Sequence, residues 1–157
     1  MTLDASRPSS VPWPPILFLA TIVLAVFAQR IYPLPWPGLD DTPARVIGYG
    51  FGVAGLALIV WGIYTLKQAG TTVLPDKGAD KLVTDGPFRY RRNPIYMGDV
   101  LLFLGLVQLT GNIWFVIAAP LFAIAVYHLA ILPEELYLEN RFGQAYLDYK
   151  ETTRRWL

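Results

Sequence analysis

The chain has 157 residues, 54% of them hydrophobic and 16% charged, with a net charge of +1. A soluble domain carries about 25% charged residues; the shortfall here lies in long uncharged runs, which points to one integral-membrane domain and gives no basic footprint for nucleic acid. With no cysteine and one histidine, His128, the sequence offers no thiolate nucleophile, no Cys-ligated metal and no multi-histidine site, so no metal is expected.

A membrane-crossing helix needs about 20 mostly apolar residues. Residues 12–29 are uncharged and form the first expected span. Pro12, Pro14 and Pro15 suit its entry, where missing N–H groups cost little. Arg7 is a weak n-region and no small-x-small site follows, so the segment does not read as a cleaved leader. Residues 46–66, between Arg45 and Lys67, form the second span. Inside it, Gly50-Phe51-Gly52-Val53-Ala54-Gly55 matches G-x-G-x-x-G, but that fingerprint needs a preceding strand and a βαβ unit. Gly48 and Gly52 also stand in G-x-x-x-G spacing, so close helix packing in lipid is the better reading. Residues 67–93 make a long loop, of the kind that is often functional.

From 100 to 133 the chain carries no formal charge if His128 is neutral, a run of 34 residues. As one helix it would be ~50 Å long, too long for a single crossing. Thr110-Gly111-Asn112 breaks it into a hairpin, with a third span over 94–109 and a fourth over 114–132. His128, inside the fourth, is a functional candidate by its setting; a neutral histidine bonded to a neighbouring helix is the simpler account. The tail is amphipathic: Leu138, Phe142, Ala145 and Tyr149 recur on one helical face. Pro133 suits a first helical position, with Glu134 and Glu135 in the first turn, so an interfacial helix is expected over 133–150.

Four spans place both termini and the 67–93 loop on one side. Eleven basic residues fall there (Arg7, Lys67, Lys77, Lys81, Arg89, Arg91, Arg92, Arg141, Lys150, Arg154 and Arg155) against two, Arg30 and Arg45, on the other. The positive-inside rule makes the first side cytoplasmic. Trp13, Trp36, Trp61 and Trp114 fall near span ends, as an aromatic belt requires.

The densest polar cluster is GPFRYRRNPIYMG, residues 86–98. Each part has a plain structural account. Asn93-Pro94 suits a helix start, Tyr90 and Tyr96 an aromatic belt, and the arginines lipid headgroups. The hairpin adds something these accounts leave out: it brings Asn93 and the Glu134-Glu135 pair within reach of one another at the cytoplasmic edge. Arginines, aromatics, a helix start and carboxylates converging there can hold a polar cofactor while a lipophilic substrate arrives from the membrane. Asp99, six residues beyond Asn93, can pair with an arginine or face this site.

The stretch LVTDGPFRYRRNPIYMG at 82–98 resembles the signature of the isoprenylcysteine carboxyl methyltransferase and phospholipid methyltransferase superfamily, Leu-Val-x-x-Gly-Pro-Tyr-x-Tyr-x-Arg-His-Pro-x-Tyr-x-Gly. EELYLENRFGQAYLDYKETTRRW at 134–156 resembles that family's Glu-Glu, Phe-Gly, Tyr-x-x-Tyr ending. The likeness covers about residues 70–157; the first two spans match only as generic helices. It implies an all-α integral-membrane enzyme with S-adenosylmethionine bound in a cytoplasmic pocket outside any Rossmann fold. By position, the resemblance implies cofactor contacts from Lys81, Leu82, Val83, Phe88, Asn93, Pro94, Ile95, Tyr96 and Glu134. A carboxylate suits the ribose hydroxyls or the ammonium, aromatics suit adenine and the sulfonium, and a helix start suits the cofactor carboxylate.

Two positions depart from the family. Its usual histidine is Asn93 here, which can hydrogen-bond but cannot take a proton near neutral pH. The arginine that binds a prenylcysteine carboxylate, four residues before the glutamate pair, is Ala130 here, which disfavours that substrate. Methyl transfer asks mainly for alignment, and positioning can supply about 7–11 kcal/mol of a barrier. Arg92 is the expected orienting group for an anionic moiety. Glu135, with Glu134 and Asp99, is a candidate base if the acceptor must lose a proton. The expected activity is methylation of a small or lipophilic acceptor entering from membrane lipids. Two alternatives are an NADPH-dependent membrane reductase of sterol-reductase type, whose members are usually larger, and a non-catalytic membrane scaffold, which the Asn93 and Ala130 departures favour.

Overall fold

The computed structural model describes residues 11–71 and 78–156; Arg7 and Lys77, two of the basic residues in the topology count, lie outside them. All regular elements among the described residues are helical. α1 spans Trp13–Ile31 and begins on prolines, as a helix entry permits. α2 spans Thr42–Gln68. It starts four residues before the uncharged run because Asp41 Oδ1 accepts from the Ala44 N–H at 2.8 Å, satisfying an orphan donor of the first turn. Arg45 therefore lies within the helix, 3.6 Å from Asp40.

α3 spans Pro94–Thr110 and ends at Gly111, whose φ of 66° a side chain would oppose. Asn112 Oδ1 then takes the Trp114 N–H at 2.9 Å, and α4 runs Trp114–Val126. This turn makes α3 and α4 an antiparallel hairpin. α1, α2 and the continuous helix Trp114–Phe142 are long and apolar enough to cross a membrane; α3, with 17 residues, is shorter.

The helix expected over 133–150 takes a different form. α4 does not stop before Pro133; it passes through a π-turn, Tyr127–Ile131, into α5, Leu132–Phe142. Pro133 has no N–H for the Leu129 carbonyl and would crowd it in a regular helix. The wider π-turn lies over just those residues and carries the helix past the proline. The break comes at Gly143, with φ 53° and ψ −127°, a region open to glycine. α6, Gln144–Thr152, follows.

α2 and α3 pack antiparallel, and glycines let them touch. A Cβ at Gly55 would lie 2.6 Å from the Gly98 carbonyl oxygen and the Leu102 nitrogen, and one at Gly105 would overlap the Gly52 backbone. Gly52 and Gly55 of the G-x-G-x-x-G run thus form a helix-packing face. α1 packs on α4 and α3 on α4 around an aromatic core, in which Phe103 stacks on Phe18 at 5.0 Å and meets Phe122 edge-on at 5.1 Å. At the far end, Trp114 Nε1 donates to the Tyr32 carbonyl at 2.9 Å and Asn112 Nδ2 to the Ala25 carbonyl at 3.0 Å. The start of α1, the end of α2, the start of α3 and α5 therefore share the near end.

Candidate active site

A cavity of about 510 Å³ opens at that near end, within the ~300–1,000 Å³ range of small-molecule sites. Its apolar wall comes from Pro14, Pro15, Phe18 and Leu19 of α1 and from Ile59, Ile63 and Leu66 of α2. Its polar side comes from the 81–96 stretch and from α5 and α6. Lys81, Leu82, Val83, Phe88, Arg92, Asn93, Pro94, Ile95, Tyr96, Glu134 and Glu135 all line it. The hairpin brings the two stretches together: the Tyr96 hydroxyl donates to Glu134 Oε2 at 3.3 Å, across 38 residues of sequence.

Glu134 and Glu135 point to different duties. Tyr96 is the hydrogen-bond partner of Glu134, which leaves carboxylate acceptor capacity toward the cavity. Glu135, by contrast, is held by two guanidinium groups: Arg92 Nε at 3.3 Å, and Arg155 at 2.8 Å from Nε and 2.5 Å from Nη2. Arg92 Nη1 also donates to the Lys150 carbonyl at 2.9 Å and to the Thr153 carbonyl. Arg92 and Glu135, expected as orienting group and base, thus engage one another and the tail.

The tail is strapped across the site. The Arg92 N–H donates to the Arg154 carbonyl at 2.9 Å, and Asn93 Nδ2 donates to the Arg155 carbonyl at 3.2 Å. The Tyr149 hydroxyl donates to the Phe88 carbonyl at 2.7 Å. Burial pushes Tyr149 up to about 12, so it stays a protonated donor. The hydrogen bonds that Arg155 donates to Glu135 raise its pKa, and its guanidinium also lies 5.2 Å above the Tyr127 ring.

Arg155 escaped sequence reasoning. Its only signal was a basic pair near the end of the chain, which counted toward topology, and nothing in the spacing pairs it with Glu135. Thr71 was missed too. Its hydroxyl oxygen is buried, lines the cavity and has no hydrogen-bond partner among the described residues. A buried hydroxyl in that state is expected to meet a ligand or water. His128 is exposed, edge-on to Tyr127 at 4.9 Å and outside the cavity lining. Ala130 is buried in the apolar core.

The model of a family described as phospholipid methyltransferase matches residues 43–145, about two thirds of the chain and both stretches that meet at Tyr96 and Glu134. The chain belongs to the phospholipid methyltransferase family. Among curated relatives of this family member, the protein-S-isoprenylcysteine O-methyltransferase of Schizosaccharomyces pombe is 36% identical over 124 residues, covering 69% of this chain and 51% of that protein. An uncharacterized protein of Haemophilus influenzae is 33% identical over 63 residues, covering 40% of this chain and all of that protein. The chain spans about half the length of the S. pombe relative. No solved structure matches. These matches place the chain in the superfamily of isoprenylcysteine and phospholipid membrane methyltransferases. The family match ends before Arg155 and the rest of the strap, residues 146–156.

Proposed function

We propose that this chain is an integral-membrane methyltransferase that takes S-adenosylmethionine as donor and methylates a lipophilic acceptor. It crosses the bilayer four times, with both termini and the site cytoplasmic. The observation that carries the reading is the shared cavity: in a methyltransferase-family chain, eleven residues from two separate stretches line one space, polar at the bilayer edge and apolar along α1 and α2.

The residues present fit the donor. The Thr71 hydroxyl, which has no partner among the described residues, and the Glu134 carboxylate offer hydrogen-bonding capacity toward the cavity. Lys81, exposed at the mouth, supplies a cation for the donor's carboxylate. Phe88, in the 3₁₀ turn Gly86–Arg89, offers a face for adenine. When bound, the donor supplies a methyl group on a positively charged sulfur. The protein's part is alignment and exclusion of water. Tyr96 orients Glu134, the start of α3 presents its backbone beside Asn93, and the Arg92–Glu135–Arg155 cluster fixes the α5 turn that carries Glu134. The apolar wall receives the acceptor's chain.

Calorimetry on the purified protein tests this. Wild type is expected to bind S-adenosylmethionine in preference to NADPH. Glu134→Gln and Tyr96→Phe each remove a charged or charge-oriented hydrogen bond worth about 1.5–3 kcal/mol, so binding should weaken about tenfold or more. Wild-type affinity in both variants would overturn the assignment of the site, and preference for NADPH would overturn the activity.

A further inference from the structure

Asp99 lines the cavity one helical turn beyond Tyr96. It is 9% exposed, lines the cavity, and makes no hydrogen bond or ion pair to a described residue. It sits five residues into α3, ~8 Å along the helix from Pro94 at 1.5 Å per residue, and so deeper in the bundle than the polar band at Asn93–Tyr96. A carboxylate among helices in lipid is costly unless it is paired or serves a ligand. The neighbouring acids are already engaged: Glu134 with Tyr96, and Glu135 with two arginines. The described cations of the cavity are accounted for as well. Arg92 and Arg155 hold Glu135 and the tail, Lys81 is at the exposed mouth, and Ala130 is an apolar core residue. Among the described residues no positive group is therefore left deep in the cavity to receive an anionic head, whereas an acceptor of hydrogen bonds is.

We propose that Asp99 is the residue that selects the methyl acceptor's head group, taking a lipophilic molecule whose head donates a hydrogen, an amine or a hydroxyl, and rejecting a carboxylate. This rests on the reading of the cavity as a methyltransferase site and narrows it. A hydrogen-donating head satisfies the buried carboxyl oxygens; a carboxylate head is buried beside a second acid with no cation among the described residues to pair with it, which is costly. For an ammonium head, Asp99 also has a place for the proton: it passes from nitrogen to a carboxylate oxygen, and the electron pair stays on nitrogen as the free nucleophile.

The test uses the full chain in nanodiscs and three probes with the same twelve-carbon tail: dodecylamine, dodecanol and dodecanoate. Binding is read from tryptophan fluorescence without methyl donor, with empty nanodiscs subtracted. Wild type should bind the amine, the alcohol or both about tenfold more tightly than the acid. Asp99→Asn, nearly isosteric, should erase that preference while leaving S-adenosylmethionine affinity within about twofold of wild type, and Asp99→Glu should retain part of it. Equal or tighter binding of dodecanoate, or an unchanged ranking in Asp99→Asn, would overturn the proposal. Failure of wild type to bind S-adenosylmethionine strikes the parent reading instead, so the two failures are distinguishable.

Discussion

Glu135 makes the clearest case at the scale of single residues. Its side chain is 8% exposed and pairs with Arg92 and Arg155 at once. Removing the charge leaves two guanidinium groups facing each other with little solvent around Arg92. Breaking a buried pair this way costs about 3–5 kcal/mol. Glu135→Gln is therefore expected to lower the unfolding midpoint and to make the tail beyond Gly143 more sensitive to protease; a Tm equal to wild type would show that the cluster contributes little. Arg155→Lys should rescue poorly, because the two bonds to Glu135 need the planar fork of a guanidinium. Sequence reasoning pointed to Arg92 as an orienting group and to Glu135 as a candidate base, but it could not tell a catalytic engagement from a structural one. That distinction depends on Arg155, twenty residues away from Glu135 in sequence.

Among the elements, α2 and α3 show how small residues set a helix contact. Without a hydrophobic drive between helices in lipid, close backbone approach supplies the packing. Gly55 and Gly105 stand at that contact, while Gly50 has nothing within 4 Å of a built Cβ. Gly55→Ala is expected to destabilise the protein by about 1–3 kcal/mol through overpacking. Gly50→Ala should be neutral or slightly stabilising, since alanine is the better helix former by about 1 kcal/mol. Unfolding in mixed detergent micelles reads both; equal loss in the two variants would remove the contact as the cause. Helix ends were unevenly legible. Gly111 and the proline at the start of α3 are strong local signals and stand at the observed boundaries. Pro133, Glu134 and Glu135 do stand in the first turn of α5, but a π-turn joins that turn to α4 without a break, and the break falls instead at Gly143 of the Phe-Gly pair.

At the scale of the whole molecule, the four spans proposed above and the basic asymmetry of the sequence predict sidedness. The chain has no cysteine, so single cysteines can be introduced without background. Glu151→Cys, exposed at the site end, and Asp40→Cys, exposed at the opposite end, should label reciprocally with a membrane-impermeant thiol reagent, with Glu151→Cys accessible only from the cytoplasmic side. Labelling of both from one side would refute the four-span arrangement.

Composition and periodicity alone determined that the chain is helical and membrane-embedded, because apolar run length and turn residues are local properties of the sequence. They also marked the two polar stretches, 82–98 and 134–156, as the unusual parts of an otherwise greasy chain. Only the tertiary structure decided what each polar group does. The hairpin put Tyr96 on Glu134, the tail occupied Arg92 and Glu135, and packing left Thr71 and Asp99 lining the cavity without hydrogen-bond partners among the described residues. A buried polar side chain is defined by whom it meets across the fold, and sequence spacing carries no record of that.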